Sequence, residues 1–487
     1  MAKIGIVGSG VAGLATAARL QSLGHDVTIF ESNSYPGGKL TEIVQDGYRF
    51  DAGPSLFTMP HLLDDVFKSA GKNPRDYFSY RQIDPGCHYF WKDGTEFRAF
   101  ADKEKFTSDV EARFGVKEAV IKNYLSACEE AYDITQDVFL QNSLHKTSTY
   151  LKTSTLKSFL QLHKARIFST LNEVNESKLK HPKLVQLFNR YATYNGSDPY
   201  QAPGTLMVIP TLEYRWGTFL PNGGMHKITE SLFYLCKDLG VDFKFDEKVE
   251  RIILKGNSAS GLQTAIQSYK FDRVVSNMDI LPTYNRLLKE VKLPKRIENQ
   301  ERSSSALIFY WGVKKEFKKL GLHNIFWSDA YRQEFNCLFK KKTIHPDPTV
   351  YINITSKHEK SDAPDGSENW FVMVNAPCNT GQNWDEMIAN TRKNILAKLQ
   401  SMLGENIEKL IETESLLTPI DIEKKTSSFG GSLYGTSSNS MMAAFLRHPN
   451  FHRNIKNLFF CGGSVHPGGG IPLCLLSGKI TSELINE

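Results

Sequence analysis

Gly8, Gly10 and Gly13 form a G-x-G-x-x-G spacing directly after the apolar run Ile4–Val7, and an acid, Glu31, closes the next apolar run. That arrangement suits a pyrophosphate-linked nucleotide. Gly8 permits a tight turn. Gly10 has no Cβ, so backbone can approach the phosphates, and Gly13 lets the following helix pack closely on the strand. The phosphates then rest on the helix N-terminus, where free N–H groups and the dipole favour an anion. Glu31 can bond a ribose hydroxyl pair. The glycines alone are a weak signal, because a glycine-rich turn also packs a helix and binds nothing. Strand, turn, helix, strand and acid in sequence make dinucleotide binding the stronger reading.

Four further segments favour FAD over NAD. Pro36-Gly37-Gly38-Lys39-Leu40 puts two glycines and a cation beside the pyrophosphate, as a long extended cofactor needs. Gly47–Ser55 is a strand running into the small-residue turn Gly53-Pro54-Ser55. Pro221–Met225 opens a helix to about Leu239, followed by strands at Val241–Phe245, Val249–Leu254, Gly261–Ile266 and Phe271–Ser276, the last ending at Asn277. Asn457–Cys461 is an apolar strand leading through Gly462–Pro472 into a helix to about Asn486, with Pro472 suited to its first turn. The N-terminus of that last helix could face a flavin ring and stabilise negative charge at N1/C2=O.

The elements that must carry these residues need a long chain. At 487 residues the chain exceeds one ordinary core, so two domains are expected. Hydrophobic content of 40% and a mean hydropathy of −0.35 belong to a soluble globular protein. The formal net charge of +6 is a mild excess and does not point to nucleic acid. Seven cysteines, none in a C-x-x-C pair, speak against a disulfide framework, a zinc site and a dithiol–flavin reductase. The apolar start followed by Ala15-Thr16-Ala17 superficially fits a secretion signal, but cleavage there would destroy the glycine motif. The charge-free stretch from Asn457 to Gly478 is long enough for a membrane span, yet it holds six glycines and two prolines and reads as strand, loop and helix start.

The sequence resembles the FAD-dependent carotenoid desaturases of the bacterial phytoene-desaturase type, within the flavin amine-oxidase superfamily, over nearly its full length. The resemblance is carried by P-G-G-K-L (36–40), G-Y-R-F-D-A-G-P-S-L-F-T-M-P (47–60), R-W-G-T-F-L-P-N-G-G-M (215–225) and G-G-S-V-H-P-G-G-G-I-P (462–472). It implies an α/β fold: a Rossmann-type, glutathione-reductase-like FAD-binding domain made of 1–66, 205–290 and 452–487, with a discontinuous α+β substrate domain made of 67–204 and 291–451. It implies FAD contacts from Gly8, Gly10, Val11, Ala12 and Gly13, and from Glu31, Ser32, Gly38, Lys39 and Leu40. It implies others from Gly53, Pro54, Ser55, Val249 and Asn277, and from Gly463, Ser464, Gly470, Ile471 and Pro472. Lys39 stands where many relatives have Arg, which keeps the charge but loses the bidentate fork. Gly463 stands where several relatives have an acid. Within the family the look is closest to 1-hydroxycarotenoid 3,4-desaturases, especially those acting on hydroxylated γ-carotene.

Between Leu144 and Ser169 lie five basic residues and no acid, with Leu156, Phe159, Leu160 and Ile167 at helical spacing. A basic amphipathic helix suits an anionic membrane surface, and the carotenoid substrate implied by the resemblance dissolves only in lipid. The expected place of the chain is the cytoplasm, peripherally on the inner face of the membrane. The polar run Arg190–Gly204 is weighed equally as a turn-rich linker and as a channel segment that binds a hydroxylated end group. Met207, Met225, Phe429 and Tyr434 are channel candidates for which core packing is the stronger reading. No Ser-His-Asp triad or metal cluster is seen. His466 is a candidate site residue that equally fits a loop histidine bonded to backbone, and no acid–base residue is assigned. The implied chemistry is hydride removal to a flavin and proton loss from the adjacent carbon, with electrons passed to a quinone or oxygen. Alternatives are phytoene desaturation, carotene isomerisation, and a prenyl-lipid-binding escort protein that shares the fold. The intact glycine motif and Glu31 argue against the last.

Overall fold

The computed structural model describes residues 1–140, 142–146, 149 and 161–487. A five-stranded parallel sheet is built from β1 (Lys3–Val7), β2 (Asp26–Phe30), β3 (Asp242–Lys244), β4 (Arg273–Ser276) and β5 (Leu458–Phe460), in the spatial order β5-β4-β1-β2-β3. Its strands come from three distant parts of the sequence. Ile4, Ile6, Val27, Ile29 and Val275 are fully buried, as expected when helices or other layers cover both faces of a parallel sheet. Helix α1 (Val11–Ser22) crosses from β1 to β2. Helices α2 (Lys227–Asp238) and α3 (Ile471–Asn486) pack beside it. Gly478 makes the α1–α3 approach possible: a Cβ there would lie 3.1 Å from Ala12 O and 3.1 Å from Thr16 Oγ1.

A second, seven-stranded sheet runs Ile411–Leu417, Ser305–Val313, Glu368–Ala376, Val350–Asn353, His323–Phe326, Cys87–Phe90 and Glu96–Ala99 in spatial order. All its pairs are antiparallel except His323–Phe326 with Cys87–Phe90. Side chains alternate across such a sheet. Leu307, Phe309, Trp311, Phe326, Ile352, Val372 and Val374 enter one core, where the helix Trp384–Leu403 contributes Ile395, Leu396 and Leu399. Ala306, Ile308, Ile325, Tyr351 and Met373 point the other way, into a cavity. A helical layer that includes Lys103–Phe114, Glu118–Phe139, Leu171–Leu179 and Pro182–Asn189 closes over part of that cavity.

Candidate functional site

The site is the space between the two sheets, a cavity of about 1400 Å³. Every cofactor candidate named above lines it except Gly13. Gly13 is a packing residue: its Cβ would sit 2.3 Å from Gly8 O, so only glycine allows α1 to lie this close to β1. Gly8 takes φ +92° and donates its N–H to Phe30 O at 2.8 Å, locking the turn to β2. Asn277 follows β4 directly. Its amide group lies over the turn, with Nδ2 3.4 Å from Gly8 O, 2.9 Å from a Cβ position on Gly10, and Oδ1 2.8 Å from one on Gly462. Asn277 therefore ties the N-terminal and C-terminal glycine loops together.

Glu31 directly follows β2 and is 5% exposed. Its Oε2 accepts from Ser9 N (2.9 Å) and Ser9 Oγ (2.7 Å), and Oε1 from Asn33 N and Asn33 Nδ2 (3.0 Å each) and Ser32 Oγ (3.3 Å). The acid thus fixes the glycine turn from below. The side chains of Ser32 and Asn33 are the donors that a ribose hydroxyl pair would replace.

Both helices that aim N-termini at the cavity lack a side-chain cap: α1 starts at Gly10 and α3 at Gly470. Other helix starts are capped by Asp102, Thr170, Asn383, Thr418 and Ser440, while those at Met59, Lys117, His181 and His226 also lack a side-chain cap. Uncapped N–H groups need an acceptor. A Cβ at Gly470 would meet nothing within 4 Å, so the α3 start opens onto free space. Gly53 (φ +144°) has the opposite reason for being glycine, since a Cβ there would collide with Lys39 O.

The cations near this end are short of counter-ions. Lys39 donates to Ser432 O (3.0 Å) and Leu433 O (2.7 Å), so its ammonium is held by carbonyls. Burial lowers its pKa, partly offset by Asp279. Arg447, 3% exposed, donates to the carbonyls of Tyr434 (2.9 Å), Gly463 (3.2 Å) and Thr436 (2.8 Å). Burial and the charge of Arg302 bring Arg447 down to about 10. Arg302 itself pairs with Asp279 at 2.7 Å. Three cations around one carboxylate leave positive potential beside the two helix N-termini.

His466 lines the cavity, but its Nε2 lies 2.8 Å from Asn142 O, and burial pushes the ring down to about 3. It is a neutral ring bonded to backbone. Of the channel candidates, only Tyr434 lines the cavity. Met207 and Met225 are core residues and Phe429 is 43% exposed.

The apolar wall was not foreseen residue by residue. Ile308, Met373, Tyr351 and Ile325 are lateral partners across four adjacent strands and form one row on the cavity floor. The period of two along these strands was the available signal. Next to the row is a polar wall. Arg190, Tyr194 and Glu213 line it, with Arg190 Nη2 3.4 Å from Glu213 Oε1, Tyr191 OH donating to Glu213 Oε2 at 2.6 Å and Tyr194 OH donating to Oε1. The run Arg190–Gly204 is therefore split: Arg190, Thr193, Tyr194 and Asn195 face the cavity, while Tyr191 is fully buried in the helical core. Among the described residues no group of His, Cys, Asp or Glu is arranged to hold a metal.

The family model for flavin-containing amine oxidoreductases matches residues 11–486. A protein named 1-hydroxycarotenoid 3,4-desaturase from Flavobacterium sp. is 51% identical over 485 residues, covering 100% of this chain and 99% of the relative. A phytoene desaturase from Fusarium fujikuroi is 30% identical over 99% of this chain and 88% of its own length. The fold is also that of cyclohexylamine oxidase from Brevibacterium oxydans, with a TM-score of 0.62, 15% identity and full coverage of both chains. The geometry fits FAD: uncapped helix N-termini and buried cations for the anionic parts, Glu31 for a ribose, and an open position at Gly470 for a flat ring. The chain belongs to the flavin-containing amine oxidoreductase family, stands among its carotenoid desaturases, and is an FAD-dependent oxidoreductase.

Proposed function

We propose that this enzyme desaturates an elongated carotenoid at the 3,4 position, near a hydroxylated end of γ-carotene type. The observation that carries this is a single cavity with three kinds of wall: a nucleotide end, a flat apolar row, and a polar cluster at Arg190, Tyr194 and Glu213. FAD is held by Gly8, Gly10, Glu31, Lys39, Asn277 and Gly470 with the other candidates above. The chain divides into a cofactor unit of 1–66, 205–290 and 452–487 and a substrate unit of 67–204 and 291–451, with Leu206–Tyr214 packed on the substrate side.

When bound, the flavin supplies a two-electron acceptor for the hydrogen that leaves a carbon next to the polyene. The protein positions the chain and keeps it dry. The row Ile308–Met373–Tyr351–Ile325 gives a conjugated chain a flat apolar surface, and the helical layer excludes water from it. Loss of a hydride equivalent and a proton from adjacent carbons leaves a new C=C bond. The cation formed on the way is delocalised over the polyene and asks for no fixed carboxylate. The electrons pass on to a quinone or oxygen.

Segment 144–169 is proposed to meet an anionic membrane surface. Leu156, Phe159 and Leu160 of that expected helix, with Lys152 and Lys157, lie outside the described residues. At its described end Lys164 is exposed and Phe168 is 86% exposed. No helix among the described residues is long and apolar enough to cross a membrane.

The test is a competition between 1-hydroxy-γ-carotene and phytoene, with products separated by chromatography and identified by absorption and mass. A bathochromic shift and loss of two hydrogens from the hydroxylated substrate is the expected outcome. Conversion of phytoene to lycopene at a comparable rate would replace this reading with phytoene desaturation.

A further inference from the structure

Two residues that line the cavity carry buried N–H donors with no hydrogen-bond partner among the described residues. His323 is 3% exposed and sits on the cavity face of its strand. Its Nδ1 lies 2.7 Å from Tyr351 OH and 3.3 Å from Asn353 Nδ2, whose amide also donates to Leu322 O at 3.2 Å. An amide NH₂ can only donate, so Nδ1 accepts, and the proton of the neutral ring is on Nε2. Burial and the nearby charge of Arg190 hold the ring in that neutral form. Nε2 has no hydrogen-bond partner among the described residues.

Arg190 faces the same cavity. Its guanidinium carbon lies 5.5, 4.8 and 5.3 Å from the ring centres of Tyr89, Tyr191 and Tyr194. One face of its charge is met by Glu213, while its Nε is buried with no partner among the described residues. A buried donor without an acceptor costs about 1–3 kcal/mol, and both residues line the same ligand-sized cavity. Glu213 accepts from Tyr191, Tyr194 and Arg190 Nη2 but bonds neither of these two nitrogens. Tyr351 bonds neither of them, as its hydroxyl lies between His323 Nδ1 and Ser55 Oγ (2.8 Å).

We propose that His323 Nε2–H and Arg190 Nε–H form the subsite that binds the end-group oxygen of the substrate, so that His323 sets the preference for a hydroxylated over a hydrocarbon end. The inference rests on the carotenoid reading above and names the residues behind its end-group choice. An acceptor oxygen fills the subsite. A methyl or methylene leaves both donors unpaired.

The test measures binding of 1-hydroxy-γ-carotene and γ-carotene to the FAD-loaded protein by quenching of tryptophan fluorescence, beside KM and kcat for each. The variants are His323→Phe, which removes the donor, and His323→Gln, whose amide nitrogen reaches about where Nε2 does. The unaltered protein should bind the hydroxylated carotenoid about tenfold more tightly. His323→Phe should bring the two affinities together, and His323→Gln should restore most of the preference. The proposal is overturned if the unaltered protein shows no preference, if His323→Phe keeps it, or if both variants lose it alike. If neither carotenoid is desaturated although both bind, the function proposed above fails while the affinity ratios still decide the subsite.

Discussion

Gly10 and Gly13 are the same residue type three positions apart, yet the structure gives them separable tasks, and alanine at each position should show it. Gly10 has φ −67° and ψ 169°, which any residue adopts. The only atom close to a new Cβ is Asn277 Nδ2 at 2.9 Å, the end of a side chain whose bond to Gly8 O is long at 3.4 Å. That amide can yield, and alanine gains roughly 0.4–1 kcal/mol from a less free unfolded chain, so the apoprotein should keep its stability. The methyl group does occupy the approach to the helix N-terminus. Losing one charge-assisted contact there costs about 1.5–3 kcal/mol, or roughly ten- to a hundredfold in Kd for FAD. At Gly13 the new Cβ meets a backbone oxygen, Gly8 O, at 2.3 Å, and backbone cannot step aside. Overpacking of this kind costs about 1–3 kcal/mol and should lower the melting temperature by about 1 °C for each kcal/mol in a chain of 487 residues. The assays are thermal denaturation of both apoproteins and FAD titration by flavin fluorescence. Unchanged FAD affinity in Gly10→Ala would refute the placement of the pyrophosphate. An apoprotein of Gly10→Ala as destabilised as Gly13→Ala would refute the division of tasks.

Gly470→Val forces a branched side chain onto φ +100°, at about 1–3 kcal/mol of strain, and sends it into open space at the α3 start; the protein should fold and lose desaturation, and full turnover would make this loop a surface turn only. Burial raises the carboxyl of Glu334 from 4.5 to about 7, so between those pH values the unfolded chain has already released a proton that the folded one retains. Folding stability should therefore fall by up to about 3 kcal/mol as pH rises from about 4.5 to 7, and Glu334→Gln should flatten that slope in urea unfolding; a variant with the same pH profile as its parent contradicts this. Reversing Lys146, Lys152, Lys157, Lys164 and Arg166 removes about 1 kcal/mol of anionic-surface attraction per charge and should release the protein from acidic liposomes in flotation; equal flotation would move the contact to another surface.

The cofactor half of the site was legible because glycine spacing is a backbone requirement, and backbone requirements are local. Gly8, Gly53 and Gly470 are glycine for reasons visible in their own φ angles or in a single close neighbour. Glu31 was legible as the acid that directly follows β2, although its five donors from Ser9, Ser32 and Asn33 were not. Lys39 shows where local reading stops: its charge was visible, but its partners, the carbonyls of Ser432 and Leu433, lie nearly four hundred positions away. The substrate half depends on such distances throughout. Ile308, Met373, Tyr351 and Ile325 become neighbours only through antiparallel pairing of four strands, and no one strand reveals the row. His323 was invisible as a site residue because a lone histidine in an apolar strand reads as core until its register with Asn353 is known.

The central claim is that one cavity couples flavin reduction to formation of a carbon–carbon double bond in a hydroxylated carotenoid. It is tested most directly by mixing the FAD-loaded protein with one equivalent of 1-hydroxy-γ-carotene without oxygen or quinone, while following the flavin and polyene bands together. The account predicts that the flavin band bleaches in step with the bathochromic shift of the polyene, one flavin for each new double bond. A polyene change with the flavin still oxidised would indicate isomerisation, binding with neither change would indicate a lipid carrier, and either result contradicts it.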